Sequence, residues 1–155
     1  MPVRKLTEFL NSNNVKYVVM RHSPAFTALE VAESAHIPGK DMAKTVMVKI
    51  DGKMAMAVLP ASFNVDLDRL REAANTDDVA LASEAEFRGL FPTCEVGAMP
   101  PFGNLWGMDV YCALSLSADH DIAFSAGNHH EVIVMPFDTF RRLVEPTIVR
   151  ISRRR

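Results

Sequence analysis

Hydrophobic positions in this chain recur with two different periods, and the switches between them mark out its elements. Val3, Leu6, Phe9 and Leu10 share one side of a 3.6-residue repeat, so the spacing predicts an amphipathic first helix ending near Asn13 and Asn14. The run VKYVVM, residues 15–20, predicts a strand. Thr27 and Glu30 stand at capping-box spacing in TALEVAESAH and predict a second helix closed by HIPG; Ser83 and Glu86 repeat the device before a short helix stopping near Pro92. Between them, AKTVMVKIDGKMAMAVLP reads as two extended runs around Asp51-Gly52, a strong hairpin signal. Both faces of these runs are largely apolar, which predicts a hairpin central in a sheet and covered on both sides. DVYCA, DIAFSAG and EVIVM predict further strands, and FDTFRRLV a helix after the last of them. The sum is an α+β (α/β-like) single domain with a mixed, mostly antiparallel central sheet flanked by helices.

Composition narrows this picture. A chain of 155 residues, 48% hydrophobic and 23% charged, suits one domain with a sizeable core. No apolar run is long enough to span a membrane, and the opening MPVRKLTEFL mixes charges into a helical pattern unlike a secretory signal, so a cytoplasmic protein without a membrane partner is expected. Cys94 and Cys112 lack CxxC spacing and read as reduced core thiols. Of 17 basic residues, Arg150, Arg153, Arg154 and Arg155 crowd the end, which leaves 13 basic against 19 acidic residues in the rest. The expected division is therefore a domain over residues 1–149 and a basic tail over 150–155. Clustered arginine suits contact with nucleic-acid phosphates, and it equally suits a short solvated tail.

Three features bear chemistry. GAMPPFGN, residues 97–104, carries no charge, two glycines and two adjacent prolines. Such a run is stiff and poorly able to pair in a sheet, so it serves either as a tight bend or as a wall offering backbone N–H groups to a ligand. Strand alternation sets Lys44, Val46, Val48 and Ile50 on one side and Thr45, Met47 and Lys49 on the other. Lys44 thus shares an apolar face; it either snorkels at the strand end or holds a cation at a pocket rim, ready for a phosphate or an oxyanion. In SAGNHHE the chain runs into Gly127 and presents Asn128, His129 and His130. Adjacent strand residues face opposite ways, so the two histidines do not predict a shared zinc, and one of them is a candidate hydrogen-bonding group in a cleft. His22, His36 and His120 lack ligand spacing, and phosphate-loop, dinucleotide, nucleophile-elbow and HExxH patterns are all missing from the sequence.

These residues carry a resemblance. HSPAFTALEVAESAHIPGKDMAKTVMVKIDG, MAVLPA, GAMPPFGN and AGNHHE, in that order, resemble the YbaK/ProX family of aminoacyl-tRNA editing domains, also called the prolyl-tRNA synthetase associated domain, over roughly residues 22 to 145. The resemblance implies a free-standing deacylase that hydrolyses the ester of wrongly charged tRNA, typically prolyl-tRNA bearing Ala, Cys or Ser, with no cofactor and no metal. It implies the acceptor end of aminoacyl-tRNA as partner and admits prolyl-tRNA synthetase as a second. The family's catalytic positions fall on Lys44, Gly97 and His129. Its substrate contacts fall on Phe26, Thr45, Met99, Pro100, Pro101, Phe102, Gly127 and Asn128, with Asn128 where the family carries Ser and Phe26 where it often carries Tyr. On this reading the Gly97 loop is an oxyanion site and a size gate in which Met99 or Phe102 limits the amino acid, and water attacks the ester, alone or assisted by a hydroxyl of the tRNA ribose or, for cysteine, by the substrate's own thiol. The competing class is a non-catalytic module that binds tRNA or a synthetase.

Overall fold

Asp51 at φ 51° and Gly52 at φ 79° reverse the chain in the computed structural model, which describes residues 1–154. Positive φ at both central residues is the turn whose twist matches paired strands. In chain order the elements are α1 (Arg4–Ser12), β1 (Val18–Arg21), α2 (Ala28–Ser34), β2 (Met42–Ile50), β3 (Lys53–Pro60), β4 (Phe63–Val65), α3 (Leu67–Ala74), β5 (Val79–Leu81), α4 (Glu84–Phe87), β6 (Asp109–Ala113), β7 (Asp121–Ser125), β8 (Glu131–Pro136), α5 (Phe137–Val144), β9 (Thr147–Val149) and β10 (Ser152–Arg154). Both predicted capping boxes form: the Thr27 hydroxyl accepts from Glu30 N–H and the Ser83 hydroxyl from Glu86 N–H, each with the reciprocal bond. Elements of the 61–82 stretch went unannounced by the hydrophobic pattern, because β4 and β5 are three residues long and α3 buries only Leu70.

The main sheet runs β1-β8-β7-β2-β3-β6-β9, with β5 also pairing β2. β1, β7 and β8 pair antiparallel, as do β2 with β3 and with β5, whereas β2–β7, β3–β6 and β6–β9 are parallel. The sheet is thus mixed, and the β2–β3 hairpin is central and covered on both faces as predicted. Leu6 and Leu10 of α1, Phe137 and Phe140 of α5 and the 91–102 loop pack on one face, with Met47, Met56 and Val58 below them. On the opposite face α2 covers Met42, Ala123 and Val132, while α3 and the β4–β10 ribbon cover Val48, Ala57, Leu59 and Ile151. β7 meets β2 at Met42 and Ala43, and β5 meets it from Val48 to Ile50. Residues 44–47 lie between those two neighbours, which is where that face opens.

The basic end is not a free tail as far as Arg154. Ile151 is fully buried, its carbonyl accepts from Asp66 N–H at 2.6 Å, and β10 pairs antiparallel with β4. Arg155 lies outside the described residues. The ribbon forms because Ile151 gains apolar burial that a solvated tail would forgo.

One backbone knot fastens the end of β7. Gly127 N–H donates to Ala98 O at 2.9 Å, Gly127 O accepts from Glu95 N–H at 2.8 Å, and Val3 N–H donates to Ala126 O at 2.9 Å. Gly127 sits at φ 98°, and a Cβ there would stand 2.8 Å from that of Val3. Gly127→Ala is therefore expected to destabilise the fold by on the order of 2 kcal/mol or more through strain and overlap together. Phe102 is buried against Phe124 and Phe140, at ring-centroid distances of 5.4 and 5.5 Å. Phe102→Ala should cost about 3–5 kcal/mol by leaving a cavity. Urea denaturation checks both; near-wild-type midpoints would contradict the knot and the aromatic core respectively.

Candidate active site

The site is built at the corner between β7 and β8. Ala98 N–H returns to Glu95 O at 3.1 Å, closing a four-residue turn in which Gly97 holds the third position at φ 85°. That angle is what a type II turn demands and is strained for residues with a Cβ. Gly97 is exposed, and its N–H makes no hydrogen bond among the described residues. The rest of the uncharged run turns inward: Met99, Pro100, Pro101 and Phe102 are all buried. Part of the run is thus the bend and part is the wall. The expected gate by Met99 or Phe102 is corrected here, since side chains committed to the core present no surface to a ligand.

His129 packs against this turn. Its Nε2 lies 2.8 Å from the Val96 carbonyl oxygen, and its Cε1 lies 3.7 Å from the position a Cβ on Gly97 would take. A carbonyl only accepts, so Nε2 carries the hydrogen and, in the neutral ring, Nδ1 is the acceptor. His129 N–H donates to Glu95 Oε2 at 3.2 Å, and the same carboxylate oxygen lies 3.8 Å from Nε2. Phe26, 71% exposed just ahead of α2, tilts its ring over the imidazole at 5.2 Å between centroids. Glu95 and the Val96 carbonyl are the partners that sequence reasoning missed. Two residues before a loop glycine, they carry no pattern of their own.

Asn128 turns into the protein. Its Nδ2 donates to Glu131 Oε1 at 2.9 Å and to Met1 O at 3.0 Å, and its Oδ1 accepts from His130 N–H at 3.0 Å. Glu131 is buried and also pairs with the Met1 ammonium and with Arg21. Burial pushes the Glu131 carboxyl up, but hydrogen bonds from the ammonium and Asn128, aided by nearby positive charge, hold it below its ordinary value. Asn128 and Gly127 therefore shape the corner from behind. His130 turns its Nε2 toward Glu131 at 3.8 Å, so His129 is the histidine that meets Gly97.

Lys44 and Thr45 lie on opposite faces of β2, as alternation requires. Thr45 pairs with Val58 on the α1 side, whereas Lys44 pairs with Leu59 and lines a cleft of about 500 Å³ with Val46, Asn64, Asp66 and Arg153. The parallel register that sets Ala43 beside Phe124, continued one residue, brings Lys44 level with Ser125, the last residue of β7 before the corner. Lys44 also shares its face with Met42, on which α2 packs directly after Phe26. Lys44 thus stands level with the strand end that leads into the His129 corner.

The two cysteines are unsuited to covalent attack. Burial pushes the Cys94 thiol up to about 11 and the Cys112 thiol up to about 12, so neither supplies a thiolate near neutrality. No group of three or more metal-ligating side chains gathers among the described residues, and no helix there is long and apolar enough to cross a membrane.

The chain is 26% identical over 161 residues to the multifunctional Ser/Thr-tRNA deacylase ProXp-y of Escherichia coli, spanning 97% of this chain and 92% of that one. Its fold superposes on the crystal structure of the hypothetical protein APE2540 with a TM-score of 0.87 at 17% identity, covering 97% of this chain and all of the other. A candidate trans-editing enzyme for prolyl tRNA synthetase superposes with a TM-score of 0.81 at 16% identity, covering 97% and 96%. Residues 22–143 match the aminoacyl-tRNA editing domain, so the chain belongs to that family.

Proposed function

We propose that the chain acts in trans on misacylated tRNA, hydrolysing the ester between the terminal ribose and a small amino acid, with prolyl-tRNA carrying Ala, Cys or Ser as the favoured substrates. The observation that carries this reading is the junction of Gly97 and His129, where an exposed N–H with no hydrogen bond among the described residues belongs to a turn packed against an imidazole anchored through Nε2. As water adds to the ester carbon, its oxygen becomes an oxyanion. A backbone donor already fixed by a turn stabilises that charge without reorganising, an effect worth on the order of 100-fold or more in rate per donor. His129 Nδ1 accepts from the attacking water, the ester C–O bond breaks, and the ribose hydroxyl leaves protonated. Lys44, half-buried at the cleft, holds the phosphate or sugar of the terminal nucleotide and so orients the ester.

Selection for small amino acids answers an energetic need. A missing methylene changes binding by only about 1–3 kcal/mol, so a synthetase admits smaller analogues and a second sieve is useful. With Met99 and Phe102 buried, the groups that reach an entering aminoacyl side chain are Phe26 and the Glu95–Gly97 turn. The name of the Escherichia coli relative puts Ser and Thr beside Ala and Cys in the test panel.

Deacylation of tRNA charged with Ala, Cys, Ser, Thr or Pro, run beside simple esters of the same amino acids, tests the reading. Selective turnover of small aminoacyl-tRNAs is expected; hydrolysis of none would leave a binding module. His129→Ala and Lys44→Ala should each lower kcat/KM by about 10²–10⁴-fold with an unchanged thermal midpoint. A variant that melts normally and turns over like the wild type removes that residue from the mechanism. Phe26→Ala should raise the kcat/KM ratio of prolyl to alanyl ester, whereas Met99→Leu, a core swap of similar volume, should leave it unchanged. If Met99→Leu moves that ratio and Phe26→Ala does not, the sieve lies on the core side of the loop.

A further inference from the structure

The folded end of the chain brings a second cation to the Lys44 cleft. Arg153 stands opposite Asn64 in the β10–β4 ladder, and both residues line that cleft with Lys44. The carboxylates in the same wall are already engaged. Asp68 Oδ1 accepts from Arg71 Nη1 at 2.7 Å, and Asp66 Oδ1 accepts the N–H groups of Asp68 and Arg69 at the head of α3. Arg71 also donates through Nε and Nη2 to the carbonyls of Asp77 and Val79. Arg153 is exposed and forms no ion pair among the described residues, while Val46 and Leu81 give the cleft apolar surface.

Apolar surface with cations along its rim is what a single nucleic-acid strand requires, because bases and riboses pack while phosphates need countercharge. The chain as a whole carries a net charge of −2 and gives a polyanion no general attraction, so phosphate binding must be local. From Arg153 and Lys44 in one cleft, with Lys44 level with the strand end that leads into the His129 corner, we infer that Arg153 is a positioning residue for the single-stranded 3′ end of tRNA. It holds the phosphate of a nucleotide upstream of the terminal one. The inference rests on the reading of this chain as one that acts on aminoacyl-tRNA. It extends that reading from the ester to the strand that delivers it.

The test uses a labelled single-stranded RNA ending in CCA, titrated against the full chain over a range of salt concentrations, beside deacylation kinetics. Arg153→Gln keeps the β10 backbone and the buried Ile151. It is expected to weaken RNA binding about tenfold and to lower the log–log salt slope by about 0.7, the value for one phosphate contact on a single strand. KM for misacylated tRNA should rise to a similar extent with kcat within about twofold, and hydrolysis of a 3′-O-aminoacyl adenosine, which lacks the upstream phosphate, should not change. Arg153→Lys should recover most of the binding. Arg150, which lies outside the cleft, is the control: Arg150→Gln should leave the slope unmoved. A wild-type chain that does not bind the RNA, an unchanged slope in Arg153→Gln, or an equal loss in Arg150→Gln overturns the inference. A chain that binds the RNA through Arg153 but deacylates none of the panel sinks the hydrolase reading and leaves the phosphate site standing.

Discussion

Everything proposed for this protein depends on how three stretches of main chain meet at Gly127. The segment entering α1, the turn at residues 95–98 and the end of β7 are far apart in sequence, and short backbone hydrogen bonds tie them at one point. The close approach works because Gly127 has no Cβ and accepts φ 98°. Glu95 then reaches His129 N–H, and the Val96 carbonyl reaches its Nε2, so turn and imidazole are held by the same few atoms. Each bond contributes only about 1 kcal/mol net. Their effect on geometry is larger than that figure suggests, because leaving any of these buried groups unpaired would cost more than the bond returns.

Behind the knot stands an unusual commitment of polar groups. Asn128, Glu131 and the Met1 ammonium form a network in which the acid is nearly fully buried. Buried charge is costly unless paired, and such a network specifies one arrangement more firmly than apolar packing would. Asn128 joins the acid to the corner, donating to Glu131 and accepting from His130 N–H. With Asn128 committed to bracing the corner, Phe26, Glu95, Val96 and Gly97 are the residues left exposed there.

The two faces of the central hairpin divide the remaining tasks. One packs aromatic rings against α1 and α5 and holds the proline loop still. The other is covered in two pieces, by α2 and by α3 with the β4–β10 ribbon, and the space left over β2 is the Lys44 cleft. Rigid core on one side and a partly open face on the other give the fold both a stiff turn and an accessible groove.

The sequence by itself determined the local structure and the residue types of the site. Capping boxes, the Asp51-Gly52 turn and the period-2 runs are near-neighbour physics, so the helices, the central hairpin and the opposite orientations of Lys44 and Thr45 could be read directly. The motifs also singled out Gly97 and His129, which the fold brings together, the glycine at positive φ and the imidazole packed against its turn. Only tertiary structure decided which residues face outward. Nothing in GAMPPFGN tells that Met99 and Phe102 point into the core while Gly97 stays exposed, because that depends on what lies across the loop, many residues away. The arginine-rich end poses the same problem: three residues of weak strand propensity gain their order from Ile151 in a distant core and from pairing with β4. Glu95, Val96 and the Asn128–Glu131 network likewise arise from contacts between segments that sequence separation hides, and burial, which sets their energies, exists only once those segments have met.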